Sequence, residues 1–268
     1  MYCNTPNRII ILTLLRGRQF MKELYKKAAA IIKNSKNLIA LTGAGHSVES
    51  GIPDFRSPGG LWDQFDPEEY AHINSFKRNP EKIWDMMFAL RDITDNAKYN
   101  AAHKALAQLE EKGYLKAVIT QNIDNLHQQA GSKNVIEFHG NATRYECVKC
   151  GSEFSTDEIS IKGKKPPKCG KCDFILKPGF VFFGEMIPPM ALSESQRLAG
   201  SADAILVIGT SAVVYPAASI PYMAKRNGAK VIELNIEKTG LTSSITDVFI
   251  VGLVGTTLPK LLEHVEAM

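Results

Sequence analysis

The stretch from Leu38 to Trp62, LIALTGAGHSVESGIPDFRSPGGLW, constrains this chain more than any other. It begins as a continuous apolar run, Leu38-Ile39-Ala40-Leu41, the pattern of a strand buried on both faces. The run feeds Gly43-Ala44-Gly45, where missing Cβ atoms allow a sharp turn and a close approach to a ligand. Ser47 and Ser50 are placed to cap a short helix, which Gly51 and Pro53 then end. Strand, glycine turn and helix start together form an anion cradle, with free N–H groups and a positive dipole end aimed at one point. The next five residues depart from an ordinary dinucleotide fold. Ile52-Pro53-Asp54-Phe55-Arg56 sets an aromatic, an acid and a base in a forced loop where a helix would otherwise continue.

The same strand logic recurs along the chain. Apolar runs at 116–120, 135–138, 204–208, 230–235 and 248–251 alternate with helical patterns at 21–35, 66–97, 101–112, 193–200 and 257–265. Pro67 and Pro80 fall at helix starts, and Gly113 stops the helix before it. Alternation of this kind predicts an α/β fold, a Rossmann-like parallel sheet covered by helices on both faces. Ligands of such sheets sit at the carboxyl ends of the strands. Those ends carry Gly43-Ala44-Gly45, Gln121-Asn122-Ile123-Asp124, His139-Gly140-Asn141, Gly209-Thr210-Ser211 and Leu234-Asn235.

With 268 residues the chain is long enough for one large domain, or a large and a small one. A net charge of +4 suits an acidic ligand but is too weak to indicate nucleic acid. No apolar run approaches the ~20 residues of a membrane span. Residues 1–20 read as an extension, with Met21 opening the first amphipathic helix of the fold. Cys3 stands alone near the N-terminus. An odd count of five cysteines argues against a disulfide framework and for a reducing, cytoplasmic setting.

The other four cysteines read C-x2-C-x18-C-x2-C: Cys147, Cys150, Cys169 and Cys172. Two short pairs at this separation offer four thiolates to a tetrahedral Zn²⁺, and with every ligand from protein the site is structural rather than catalytic. The glycine loop alone is a weaker signal. It lacks a third glycine, and the strand where a ribose-binding acid belongs ends in Asn235, which disfavours hydride transfer. His139 shares a strand-end edge with Asn122 and Asp124, and a neutral imidazole there can take a proton near neutral pH. His46, His72, His103, His127 and His264 read as structural. Val181-Phe182-Phe183-Gly184-Glu185 is an apolar extended segment. It reads either as a core strand or as an edge that accepts an extended peptide by strand addition.

In this order, GAGxSxxSGIPDFR, TQNIDNLH, FHG, the paired CxxC motifs, LKPxxVxFGE, GTS and LN resemble the sirtuin family over about residues 30 to 260. Sirtuins are NAD-dependent protein-lysine deacylases, and the short flanks fit a prokaryotic member. The resemblance implies a transferase that moves an acyl group from lysine to ADP-ribose, releasing nicotinamide and O-acyl-ADP-ribose. It implies NAD as cofactor and a structural zinc on Cys147, Cys150, Cys169 and Cys172. Gly43, Ala44, Gly45, Phe55 and Arg56 would line the NAD site. Gln121, Asn122, Ile123 and Asp124 would line the nicotinamide pocket. Gly209, Thr210, Ser211, Asn235, Glu237 and Val254 would hold the adenosine half. His139 would be the general base, with Asn122 and Asp124 completing the catalytic group. Val181, Phe182 and Phe183 would contact the acyl-lysine peptide or protein substrate, with no specific nucleic acid and no membrane as partner. A Rossmann-like domain of residues 21–59, 98–140 and 179–268 is implied. A small domain would be made from a helical module, 60–97, and a zinc module, 141–178. Transfer of ADP-ribose to proteins is the alternative reading.

Departures from the family pattern occur at three places. His46 replaces the usual Ile or Val beside the glycine loop. Gly179-Phe180 replaces Asp-Ile or Asp-Val, which opens the question of peptide preference. Met87 and Leu90 stand where succinyl- and malonyl-preferring members carry Tyr and Arg, so an apolar acyl pocket is expected. That favours acetyl groups and accommodates longer fatty ones.

Overall fold

A computed structural model describes residues 6–268 apart from Ser160 and Lys162. Cys3, and the first five residues of the expected extension, lie outside the described residues. The first helix spans Pro6–Asn34, so it runs through the expected boundary at Met21 as one element.

The described residues then form nine strands in chain order: β1 (Leu38–Thr42), β2 (Leu115–Thr120), β3 (Val135–Glu137), β4 (Gly140–Glu146), β5 (Glu153–Ser155), β6 (Lys177–Phe180), β7 (Ala204–Ile208), β8 (Lys230–Asn235) and β9 (Val248–Val251). Six of them form one parallel sheet in the order β3-β2-β1-β7-β8-β9. Every residue of β1 and β7 is buried, as their unbroken apolar runs predict. Alternate residues serve opposite faces. Leu38 and Ala40 join a core beneath the first helix and helices Ala101–Glu111 and Val254–Glu266. Ile39 and Leu41 join a second core beneath helices Pro189–Ser201 and Ser219–Arg226. Strand order runs outward in both directions from the β1/β7 pair, so a crevice opens there at the carboxyl ends.

The remaining strands form a small antiparallel sheet, β5-β4-β6. It packs on the helical segment, which breaks into Leu61–Gln64, Pro67–Tyr70, Ile73–Arg78 and Pro80–Asn96. Asp66, His72 and Asn79 cap the last three by accepting from backbone N–H groups. A third apolar core joins Phe76, Ile83, Trp84 and Phe88 to Tyr145, Cys147, Cys169 and Leu176. The Trp84 indole donates to the Leu176 carbonyl at 2.8 Å across this seam.

The short helix expected after the glycine turn is absent. In its place stand two 3₁₀ turns, Ala44–His46 and Val48–Ser50, without side-chain caps. The Ser47 hydroxyl, expected as a cap, is spent on the Asp124 carboxylate instead.

Candidate active site

All the non-cysteine residues singled out for the site line one cavity of ≈ 1440 Å³ at the carboxyl end of the large sheet. Its floor is the β1/β7 crevice. The Gly43 amide donates to the Ile208 carbonyl at 3.1 Å, and the Gly45 amide to the Gly209 carbonyl at 2.8 Å. A Cβ on Gly45 would lie 2.9 Å from the Gly209 Cα, and one on Gly43 would lie 2.7 Å from the Thr210 Cβ. The two glycines are therefore required first by the approach of the β7 loop, before any ligand is considered.

Polar groups at the strand ends are fixed by one another. Gln121 donates through Nε2 to the Thr210 hydroxyl at 3.0 Å. Asn235 donates through Nδ2 to the Thr210 carbonyl at 3.1 Å. Ser47 is the residue that sequence reasoning missed: its hydroxyl donates to Asp124 Oδ2 at 2.6 Å and accepts from Asn122 Nδ2 at 3.0 Å. One serine thus orients both strand-end groups of the second loop. The Leu126 amide donates to the other Asp124 oxygen at 3.0 Å. Burial still raises the Asp124 carboxyl pKa from its ordinary value, against the pull of these bonds.

His139 follows β3 and immediately precedes β4, where the chain leaves the large sheet for the small one. Its Nδ1 lies 3.1 Å from the Gln121 carbonyl. A carbonyl can only accept, so Nδ1 carries the proton and Nε2 keeps a free lone pair. Burial lowers the imidazole pKa below its ordinary value, with the Gln121 bond opposing. The group is a neutral base at physiological pH.

Phe55 sits over the cavity with its ring centroid 5.0 Å from that of Trp62. Asp54 shapes this loop, accepting from the Arg56 amide at 3.0 Å and from the Ser57 amide at 2.8 Å. Arg56 and Glu237 are exposed at the rim, and Val254 forms buried wall.

The segment expected to pair with a peptide is partly closed. The Val181 amide donates to the His139 carbonyl, the Phe182 amide to Glu185 and the Phe183 amide to the Ala71 carbonyl, each at 2.8 Å. Phe183 also forms a parallel bridge with His72. The N–H groups that strand addition would use are therefore taken within the chain. The Phe182 ring is only 2% exposed and packs edge-on against Phe76, so it belongs to the core. Val181 and Phe183 remain accessible. The cavity lining also includes the apolar side chains Met87, Leu90, Ile159 and Ile161. Arg91 also lines it, but its guanidinium is paired with Asp95 at 3.0 Å.

The four cysteines converge on one point, their sulfurs all within 4.8 Å of one another. Cys147 and Cys172 lie 3.4 Å apart, Cys150 and Cys169 3.6 Å. A tetrahedral ion with Zn–S bonds of ~2.3 Å needs sulfurs about 3.8 Å apart, so the set fits zinc with a slight expansion. The Lys171 amide donates to the Cys169 sulfur at 3.4 Å, the outer support such ligands need.

An open parallel sheet with a cavity at its switch point, polar groups at the strand ends and a thiolate-built module beside it defines a nucleotide-binding α/β protein. The model of the Sir2 family matches residues 43–216. The NAD-dependent protein deacylase of Thermococcus kodakarensis is 48% identical over 245 residues, covering 89% of this chain and 95% of that protein. Among solved structures, a Sir2 homolog–NAD complex superposes with a TM-score of 0.83 at 46% identity, over 90% of this chain and 93% of that one. Sir2Af2 bound to a myristoylated histone peptide superposes with a TM-score of 0.76 at 39% identity, over 92% and 98%. The chain belongs to the Sir2 family, the sirtuins.

Proposed function

We propose that the protein is an NAD-dependent protein-lysine deacylase, which moves an acyl group from a lysine side chain to ADP-ribose and releases nicotinamide. The observation that carries this reading is His139. It is a neutral base with its protonation fixed by Gln121, set in the same cavity as Asn122, Asp124 and the glycine loop. NAD⁺ supplies a ribose carbon bonded to a pyridinium nitrogen, which can depart with the bonding pair as neutral nicotinamide. Asn122 and Asp124, held by Ser47, orient the carboxamide of that leaving group by hydrogen bonding. His139 Nε2 takes the proton of a ribose hydroxyl. Gly43, Ala44, Gly45 and Arg56 face the phosphates, while Gly209, Thr210, Ser211, Asn235, Glu237 and Val254 face the adenosine half. Gln121 and Ile123 complete the nicotinamide pocket, and Phe55 excludes water from the reacting carbon.

The acyl-lysine enters between the large sheet and the small module, which the helical segment 60–97 and the zinc segment 141–178 build together. Val181 and Phe183 meet the peptide, and Phe182 supports them from the core. Cys147, Cys150, Cys169 and Cys172 would hold a zinc ion, which would keep the small module in shape. The apolar side chains of Met87, Leu90, Ile159 and Ile161 accept acetyl and longer apolar acyl groups, while the Arg91 guanidinium pairs with Asp95. Transfer of ADP-ribose to protein, the alternative raised by the sequence, has no comparable support: the related protein is a deacylase and the related complex holds an acylated peptide. No helix among the described residues is long and apolar enough to cross a membrane. Four thiols available for metal favour the reducing cytoplasm.

The test is incubation of the purified protein with NAD⁺ and matched acetyl and succinyl peptides, with mass spectrometry of the products. The expected outcome is O-acetyl-ADP-ribose and free lysine, with acetyl removed faster than succinyl. Faster removal of succinyl would sink the acyl assignment, and ADP-ribose attached to protein without deacylation would sink the whole reading.

A further inference from the structure

Three histidines far apart in sequence meet behind the glycine loop. His46 lies at the end of the first 3₁₀ turn, His103 in the first turn of helix Ala101–Glu111, and His127 in the short helix Leu126–Gln129. Their relative exposures are 0%, 0% and 1%. Ring centroids are 4.4 Å apart for His46–His103, 4.9 Å for His46–His127 and 4.8 Å for His103–His127. A purely structural histidine at this depth satisfies both ring nitrogens. Here both nitrogens of His46, Nε2 of His103 and Nδ1 of His127 lack a hydrogen-bond partner. The outward nitrogens of the other two rings are engaged. His127 Nε2 lies 3.0 Å from the Thr42 hydroxyl, which itself donates to Thr120. His103 Nδ1 accepts from the Asn100 amide at 3.3 Å. The result is a closed set of three imidazoles, each with an unspent nitrogen, and a ring nitrogen of each lies within 4.8 Å of those of the others.

We propose that His46, His103 and His127 form a second, trihistidine metal site that takes a first-row dication of zinc type, separate from the cysteine site. Three imidazoles are a ligand set suited to such ions. The candidate ligand atoms all lie within 4.8 Å of one another. An ion centred among atoms at that spacing sits about 2.8 Å from each, so every ring moves inward by under about 1 Å to reach a Zn–N bond of ~2.1 Å. Ligand histidines must be neutral, and burial ensures it: His103 is held down to about 4, and His46 and His127 well below the ordinary value, with each other's proximity adding to the effect for His46. Binding through His103 Nε2 places its proton on Nδ1 and gives up the long bond from Asn100, one weak hydrogen bond against three metal–nitrogen bonds. The Thr42 hydroxyl beyond His127 is an outer-sphere partner of the kind that orients a ligating ring. Only His46 is a departure from the family pattern, and it is the residue that completes the triad. The site ties the glycine loop to the helix at Asn100, whose side chain already donates to the His46 carbonyl at 2.8 Å.

The test counts metal rather than activity. Purified full-length protein is equilibrated with a small excess of Zn²⁺, passed through gel filtration and analysed by inductively coupled plasma mass spectrometry. About two zinc ions per chain are expected for the wild type and about one for His46→Ile, the cysteine site accounting for the one that stays. Zinc-edge X-ray absorption of the wild type should show a mixed sulfur and nitrogen shell. This measurement stands by itself if the variant does not fold, which circular dichroism would reveal. A single zinc per wild-type chain with an all-sulfur shell overturns the proposal. So does an unchanged zinc count in a folded His46→Ile chain.

Discussion

At the scale of single residues, the chemistry rests on what each side chain has left after its neighbours are served. His139 spends Nδ1 on the Gln121 carbonyl, which leaves Nε2 as its one basic atom. Replacing it by Ala should lower kcat/KM by ~10²–10⁴ while leaving the circular dichroism and the zinc content unchanged. Full activity in the variant would remove the base assignment. The pH dependence carries a sign. Burial lowers the folded pKa of His139 below 6.5, so the neutral base persists as pH falls through 6.5 and is lost only at the lower value. The acid limb of a kcat/KM profile should therefore lie below 6.5; a limb above that value would mean that another group is being titrated. Gly209 makes a different kind of demand. It sits at φ +58, and a Cβ there would meet the His46 amide and lie 3.0 Å from the Gly45 Cα. Gly209→Ala should cost about 2 kcal/mol or more, read from the urea midpoint, because backbone strain and a backbone collision add together.

At the scale of elements, the seam between the helical segment and the small sheet decides whether the cleft has a second wall. Trp84 is 3% exposed, packs at a tilt against Tyr145 and anchors its indole on the Leu176 carbonyl. Trp84→Ala should cost about 3–5 kcal/mol and raise KM for peptide, since Met87 and Leu90 ride on the same helix. Lys177 shows what such a seam can bury. It is 2% exposed and paired with Glu146 at 2.7 Å and Glu185 at 3.1 Å. In the sequence it belongs to the LKPxxVxFGE motif, which names no ion-pair partner for it. The pairing is fixed by β4 and β6 lying side by side, which no local pattern records.

At the scale of the whole molecule, the large sheet and the small module are held by different forces. The two cores flanking the large sheet contain none of the four zinc-site cysteines, whereas the third core contains Cys147 and Cys169. Removing zinc should therefore strip hydrogen-exchange protection from β4, β5 and β6 first, while β1, β2, β7 and β8 keep theirs. Exchange mass spectrometry before and after chelation reads this directly; simultaneous loss in both sheets would mean that the two parts unfold as one unit.

Much of this was legible in the chain itself. Short unbroken apolar runs bounded by glycine turns, such as Leu38–Leu41 and Ala204–Ile208, are the pattern of strands buried on both faces, so the parallel sheet and the strand-end position of the polar motifs came from local pattern. The cysteine spacing fixed the zinc site for the same reason, since its ligands come as near neighbours in two pairs. What the sequence left open depended on partners supplied from afar. Ser47 looked like a helix cap until Asp124 was found beside it. Phe182 reads as either core strand or peptide edge in the sequence, and its packing against Phe76 puts the ring in the core. His46, His103 and His127 each looked like an isolated structural histidine. Local patterns report how a residue treats water and its immediate backbone. Which distant groups it meets is set by the packing of whole elements, and only tertiary structure brings those three imidazoles to one point.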